Sequence, residues 1–248
     1  MLRRFLVNAK CAWYNHHNGF RRTAACGKVL GMKHIVAINA SPRTTWNTAS
    51  LVREAAEGAA SEGADVTVYD LYRLEKFTGC VSCFGCKLPE HQGMSVLRDG
   101  LTPVLEAIRK ADGLIIDSPN YLGDVSAAFR ALYERLIFQV LTYKVEPRSY
   151  GTRRIPVLFL MTSNCAEEYY HQTGYDSMLE KYKQTLSGMV GPTRVMISGD
   201  TLQVSDYSRY QWTMFDPDAK KARHDHVFPE EKKKAFAFGT QLAKDPWQ

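Results

Sequence analysis

No apolar run in the sequence approaches the roughly 18 residues needed to cross a bilayer. There is no Gly-x-Gly-x-x-Gly and no Gly-Lys-Ser/Thr, which excludes the usual dinucleotide and nucleoside-triphosphate loops. No secretory signal with an apolar core and a small-residue cleavage site is present. Acidic residues are missing from residues 1–31, which carry Arg3, Arg4, Lys10, Arg21, Arg22 and Lys28. Together these absences predict a soluble or peripheral, cytoplasmic protein with no membrane partner.

The formal charge of +6 is confined to that opening segment, so Met32–Gln248 is formally neutral. A body without net charge has no electrostatic footprint for a phosphate backbone, and nucleic acid is not an expected partner. Residues 1–31 have no clear amphipathic period, and Met32 stands just before the first strand. An organellar presequence, untranslated upstream sequence with Met32 as the start, and a disordered tail all fit. The last two are favoured, and residues 1–31 are treated as a basic extension outside the fold.

What is present has ordinary globular composition, 45% apolar and 23% charged over 248 residues, enough for one large domain with a real core. Short runs rich in Ile, Val and Leu predict strands at His34–Asn39, Asp65–Tyr69, Gly113–Asp117, Ile155–Met161 and Thr193–Ser198. Helical spacing predicts helices at Asn47–Glu62, Leu101–Lys110, Val125–Val140, Tyr175–Leu186 and about Glu230–Leu242. Leu74–Gly100 reads as a long non-periodic loop, with the cysteines at its centre over 77–99. Gly199–Pro229 reads as a polar, aromatic segment without regular structure.

Apolar strands alternating with helices make an α/β three-layer sandwich on a parallel sheet, with 2-1-3-4-5 the natural order for five strands. In that order the connections after strands 1 and 3 leave in opposite directions. The crevice between them is where such sheets bind ligands, flavin mononucleotide (FMN) in flavodoxin-like sheets among them. Both strands end in abrupt polar turns, Asn39-Ala-Ser-Pro-Arg43 and Asp117-Ser-Pro-Asn-Tyr121.

Ser41 to Thr48 offers the hydroxyls of Ser41, Thr44, Thr45 and Thr48, the Asn47 amide, the Arg43 cation and a helix start. Converging donors of this kind suit a terminal phosphate. The same stretch also reads as a helix cap with a polar turn. Pro119, Asn120, Tyr121, Leu122 and Gly123 form a tight turn around a flat side chain, which suits a heteroaromatic ring or simply a packed tyrosine. Thr162 and Ser163, after the fourth strand, supply a third polar loop at the same edge, followed by Cys165, read as a bystander thiol.

Cys80, Cys83 and Cys86 have a spacing that can wrap a cluster or Zn²⁺, both of which want four ligands. No fourth cysteine follows until Cys165, although His91, Met94 and Ser95 lie downstream. His224 and His226 sit in a charge run and read as a solvated face. Gln203–Pro217, with Tyr207, Tyr210, Trp212 and Phe215, reads as an arm over the ligand or a neighbouring subunit, or as internal packing.

In combination, Lys33–Arg43, Asn47-Thr48-Ala49, Cys80-x2-Cys83-x2-Cys86, Ala111-Asp112-Gly113, Ser118–Tyr121, Val125-Ser126 and Arg135 resemble the NADPH-dependent FMN reductase and iron–sulfur flavoprotein family. The likeness runs from about Lys33 to Gln139. It implies a flavodoxin-like fold, bound FMN, NAD(P)H as substrate, and homodimers or homotetramers in which a neighbour covers the flavin. By matched position Ser41, Arg43, Asn47 and Thr48 hold the phosphate, while Pro119, Asn120, Tyr121 and Gly123 line the isoalloxazine. Hydride chemistry then belongs to the flavin, and no catalytic side chain is expected. Where relatives have Lys-Asn-Gly this chain has Thr44-Thr45-Trp46, and Ser95 occupies the position of the fourth cysteine in cluster-bearing relatives.

The resulting expectation is a flavin oxidoreductase moving electrons from a nicotinamide nucleotide to a small-molecule or protein acceptor. Two alternatives are an electron carrier holding a [4Fe–4S] cluster on the three cysteines, and a non-enzymatic interaction module with a Zn-stabilised loop.

Overall fold

The computed structural model describes residues 32–244 and Trp247. Expectations for residues 1–31 fall outside these. Five strands, β1 (His34–Asn39), β2 (Asp65–Asp70), β3 (Gly113–Pro119), β4 (Val157–Thr162) and β5 (Thr193–Ser198), form one sheet in the order β2-β1-β3-β4-β5. Every adjacent pair is parallel, with Val36 opposite Leu114 and Leu114 opposite Val157 through the middle. The fold is flavodoxin-like. β1, β3 and β4 are buried almost throughout, as continuous apolar runs in a sheet covered on both faces should be.

One face packs on α2 (Thr102–Lys110), α3 (Ala127–Val140) and α5 (Tyr175–Met189); Phe129, Phe159, Leu132 and Leu186 form its centre. The other packs on α1 (Asn47–Ser61) and α7 (Phe228–Lys244), with Ile35, Ile115, Leu51 and Leu242 between them. Gly58 and Gly239 let these two helices approach closely, since a Cβ on either would strike the other helix's backbone at Phe236 or Ala55. A single turn, α4 (Tyr170–Thr173), precedes α5 and ends on Gly174 at positive φ.

Gly199–Pro229 departs from the expected irregular segment. It contains α6 (Pro217–His226), and α7 begins two residues earlier than the spacing predicts. Asp216 caps α6 by accepting from Asp218 N (3.0 Å) and Ala219 N (3.1 Å), and Pro217 occupies the first turn. The helix has little apolar content, so its periodicity is silent. His226 is exposed on it, as the charge run predicts, while His224 is half-buried and stacks on Phe228 (ring centroids 5.2 Å apart). Among the described residues no helix is long and apolar enough to cross a membrane.

Candidate functional site

β1 and β3 run side by side, and the polar links that follow them are stitched together below the crevice. Ser126 Oγ donates to Ala40 O (2.7 Å) and accepts from Phe129 N (3.3 Å), so one hydroxyl joins the first link and caps α3. Ser118 Oγ accepts from Ser126 N at 2.8 Å. In the first link Asn39 Oδ1 accepts from Ser41 N (3.0 Å), and Ser41 Oγ accepts from Arg43 N (3.2 Å). Ser41 is therefore a buried shaper of the turn.

α1 has no side-chain cap, and its first backbone bond is donated by Ser50 to Trp46 O (2.9 Å). The N–H groups of Asn47, Thr48 and Ala49 consequently lack helical acceptors. Their partial positive charge points out of the sheet's carboxyl edge beside Arg43. Thr48 Oγ1 and Thr162 Oγ1 lie 2.8 Å apart, which ties this helix start to the end of β4.

In the second link Asn120 N donates to Thr162 O (2.7 Å), and Asn120 Oδ1 accepts from Gly123 N (3.0 Å). Tyr121 and Asp124 exchange two backbone bonds around Leu122 and Gly123, both at positive φ. For a leucine that conformation costs about 1 kcal/mol, and Leu122 is fully exposed at the rim. Asn120 Nδ2 is a buried donor without an acceptor among the described residues.

The two links open on one cleft of about 320 Å³, within the usual range for small-ligand sites. Arg43, Asn47 and Thr48 line it from the first link, and Pro119, Asn120 and Tyr121 from the second. Thr162 and Ser163 contribute the β4 end. Thr45 opens instead on a neighbouring cleft beside Ser50 and His224. Ser41, Leu122 and Gly123 form the turns rather than the lining. Partial burial raises the Tyr121 hydroxyl pKa, and the Arg43 cation opposes that rise, as expected of two groups sharing one space.

Three features of the cleft lie beyond the expected set. Trp46 and Trp212 line it, Trp46 beneath the Arg43 guanidinium (5.2 Å) and Trp212 from the segment after β5. Arg43 Nη1 donates to Gln203 O (2.5 Å), and Asn47 Nδ2 and Trp46 Nε1 donate to Leu202 O (2.7 and 3.0 Å). The aromatic density of Gln203–Pro217 is the available signal, and the structure brings part of that arm to the cleft. Below the floor, Asp117 is fully buried; its Oδ1 accepts from Ala40 N (2.6 Å) and its Oδ2 has no donor among the described residues. Burial holds the Asp117 carboxyl well above the usual carboxylate range.

The cysteine loop is a separate structure. Cys80, Cys83, Cys86 and Ser95 line one depression of about 20 Å³ against α3, and Ser82 and Phe84 between the cysteines have positive φ. Ser95 Oγ accepts from Arg135 Nη2 (3.1 Å), and Arg135 Nη1 pairs with both Asp99 carboxylate oxygens (2.7 and 2.6 Å). The fourth corner is thus a hydroxyl bound to a buried cation, a donor set that does not fit a four-thiolate cluster. Among the described residues no three His, Cys, Asp or Glu side chains converge as a metal ion requires.

A flavodoxin-like sheet with a cleft at its switch point defines the class, and the sequence defines the family. Residues 33–171 match the NADPH-dependent FMN reductase family, and the chain belongs to it. An iron-sulfur flavoprotein of Methanocaldococcus jannaschii is 35% identical over 101 residues, which is 41% of this chain and 50% of that protein. One from Methanosarcina thermophila is 29% identical over 103 residues, 42% and 52% of the two chains. The chain thus spans about half the length of the curated relatives it matches. An NAD(P)H:quinone oxidoreductase from Methanothermobacter marburgensis superposes with a TM-score of 0.64 at 19% identity, covering 85% of this chain and 99% of that one. An azoreductase from Bacillus anthracis gives 0.60 at 11% identity, covering 85% and 100%. At such identities these two likenesses speak to fold alone.

Proposed function

We propose that the chain is an FMN-dependent NAD(P)H oxidoreductase that passes electrons from a nicotinamide nucleotide to a small-molecule or protein acceptor. The observation that carries this reading is a single cleft lined by both Arg43 and Tyr121, one at a bare helix start and the other on a tight turn. Its donors fit the cofactor. Arg43 and the amides of Asn47, Thr48 and Ala49 present positive charge to a phosphate, with Ser41 holding the turn beneath them and Thr45 facing the neighbouring cleft. Asn120 Nδ2, a buried donor without a partner among the described residues, suits a polar ring edge, since leaving it unpaired costs about 1–3 kcal/mol. Pro119 and Tyr121 form the wall for the ring on the turn that Leu122 and Gly123 shape, and Thr162 and Ser163 close the β4 side. FMN, when bound, supplies the hydride chemistry.

The residues of the chain position and desolvate; no acid–base pair is required of them. Family membership supports the same reading, and a homodimer or homotetramer would cover the exposed rim. The Ser95–Arg135–Asp99 arrangement favours three plain thiols over a cluster, so no electron path through Cys80, Cys83 and Cys86 is assigned. The test is the visible spectrum of the purified protein before and after anaerobic NADPH. Two flavin bands, in the near ultraviolet and the blue, that bleach on addition are expected. A colourless preparation with no extractable FMN and none bound on titration would overturn the reading.

A further inference from the structure

A second cavity, of about 240 Å³, opens at the amino edge of the sheet, the end away from the cleft. It lies among the last turns of α2, α3 and α5 and the residues just before β4. Ile108, Leu136, Ile155 and Val190, all buried, give it an apolar floor. Arg109 and Arg153 also line it, and among the described residues no acid does.

Three helix carboxyl ends should repel an anion, yet here their carbonyls are already taken. At the end of α3, Lys87 Nζ donates to Phe138 O and to Leu141 O (2.6 Å). At the end of α5, Arg154 donates to Ser187 O and to Gly188 O (2.8 Å). Arg153 donates to Lys110 O (3.0 Å) after α2 and pairs with Asp112 (2.5 Å). Arg109 is left over. Among the described residues its side chain meets only the Met94 thioether, Nη1 to Sδ at 2.9 Å, a weak acceptor for a group with five donors. Glu106, one turn back on α2, is paired with Arg98 (3.0 Å). Gln139, 7% exposed, lines the same cavity. Its Oε1 accepts from Ser95 N (3.1 Å), and its Nε2 has no acceptor among the described residues.

An apolar floor thus meets a guanidinium and an amide whose donors are not engaged. We infer that this cavity binds an apolar monocarboxylate, its tail on Ile108, Leu136, Ile155 and Val190 and its carboxylate on Arg109 and Gln139 Nε2. The volume equals that of about eight waters in the liquid, which suits a medium-chain acid such as octanoate. A neutral ligand would leave the guanidinium unanswered, and a small inorganic anion would leave the floor uncovered. The inference stands apart from the oxidoreductase reading, since no residue of the cleft takes part.

Calorimetric titration of octanoate into the full chain tests it, using wild type, Arg109→Gln and Gly151→Leu, each with and without saturating FMN. A Cβ on Gly151 would lie 3.9 Å from Val140 Cγ1 and from Met189 O, so a leucine there reaches into the cavity from an exposed position. Wild type should bind octanoate saturably at one site per chain. Arg109→Gln should weaken this about tenfold through loss of a charge-assisted bond. Gly151→Leu should abolish it, with thermal unfolding of both ligand-free variants unchanged. Hexanoate, two methylenes shorter, should bind about tenfold more weakly. 1-Octanol should bind more weakly than octanoate and equally to wild type and Arg109→Gln, and FMN should not compete. No saturable octanoate binding, or binding that neither substitution alters, would overturn the proposal. Octanoate held no better than octanol would reduce the cavity to an apolar void, and competition by FMN would move the ligand to the cleft; either contradicts it. Should Gly151→Leu fail to fold, Arg109→Gln and the octanol comparison decide.

Discussion

The cleft behind β1 and β3 and the loop carrying the three cysteines are built by opposite means. The cleft inherits its geometry from the sheet: its two links leave adjacent strands, and Ser126 and Ser118 lock them with buried hydrogen bonds. The cysteine loop has no strand to inherit from. Among its ties to α3 is one buried guanidinium, Arg135, which is 2% exposed and binds Asp99, Ser95 and Leu97 at once. A ligand site fixed by strand ends should tolerate changes in its loop sequence, at Thr44-Thr45-Trp46 for example. A site fixed by a constellation of ligands does not, and here one serine has been absorbed into an internal ion network.

The sharpest way to break this contrast is Arg135→Ala. Removing one partner of a buried, hydrogen-bonded pair costs about 3–5 kcal/mol, and urea unfolding should register it. Hydrogen exchange should show the loss concentrated in Leu74–Gly100 while the cleft amides stay protected. Uniform loss of protection would mean that the two regions are not independently built.

Asp117→Asn probes the cleft floor instead. Because burial raises the folded-state pKa of this carboxyl above its unfolded value, wild-type stability is highest where both states are protonated. It falls as pH rises from the unfolded pKa through the raised one. The asparagine keeps an acceptor for Ala40 N and carries no charge. Its stability relative to wild type should therefore increase over that window, by about 1.4 kcal/mol for each pH step of one. A pH-independent difference would show that Asp117 is not held protonated.

Asp216→Ala should cost about 1 kcal/mol through the lost α6 cap, with no change in cleft properties. Smallest in free energy but most telling for the comparison is Ser95→Cys. After anaerobic treatment with iron and sulfide, this variant should acquire brown absorbance and bound iron, while wild type should not. Equal iron in both would restore the three thiols as a working site.

Much of this is legible in the chain itself. β1 and β5 run where the apolar residues place them, and the strand order follows from five alternating strands. The convergence of Arg43 and Tyr121 follows from the order. α6 escapes apolar periodicity, because the helix announces itself through Asp216-Pro217 and the charged residues that follow. The fastening of Leu202 and Gln203 by Arg43 and Asn47 joins residues some 160 positions apart, and local spacing carries no trace of it. Asp117 is hidden differently, as an ionisable residue within a strand that otherwise reads as purely apolar.

On this account one cleft holds one flavin, its phosphate at Arg43 and its ring at Tyr121. Equilibrium titration of FMN into flavin-free wild type, Arg43→Ala and Tyr121→Ala, followed by quenching of flavin fluorescence, tests it most directly. The expected result is one site per chain, weakened about tenfold or more by Arg43→Ala through loss of a charge-assisted bond, and measurably by Tyr121→Ala, with both variants folded. Wild-type binding that neither substitution alters would place the flavin elsewhere and contradict the assignment.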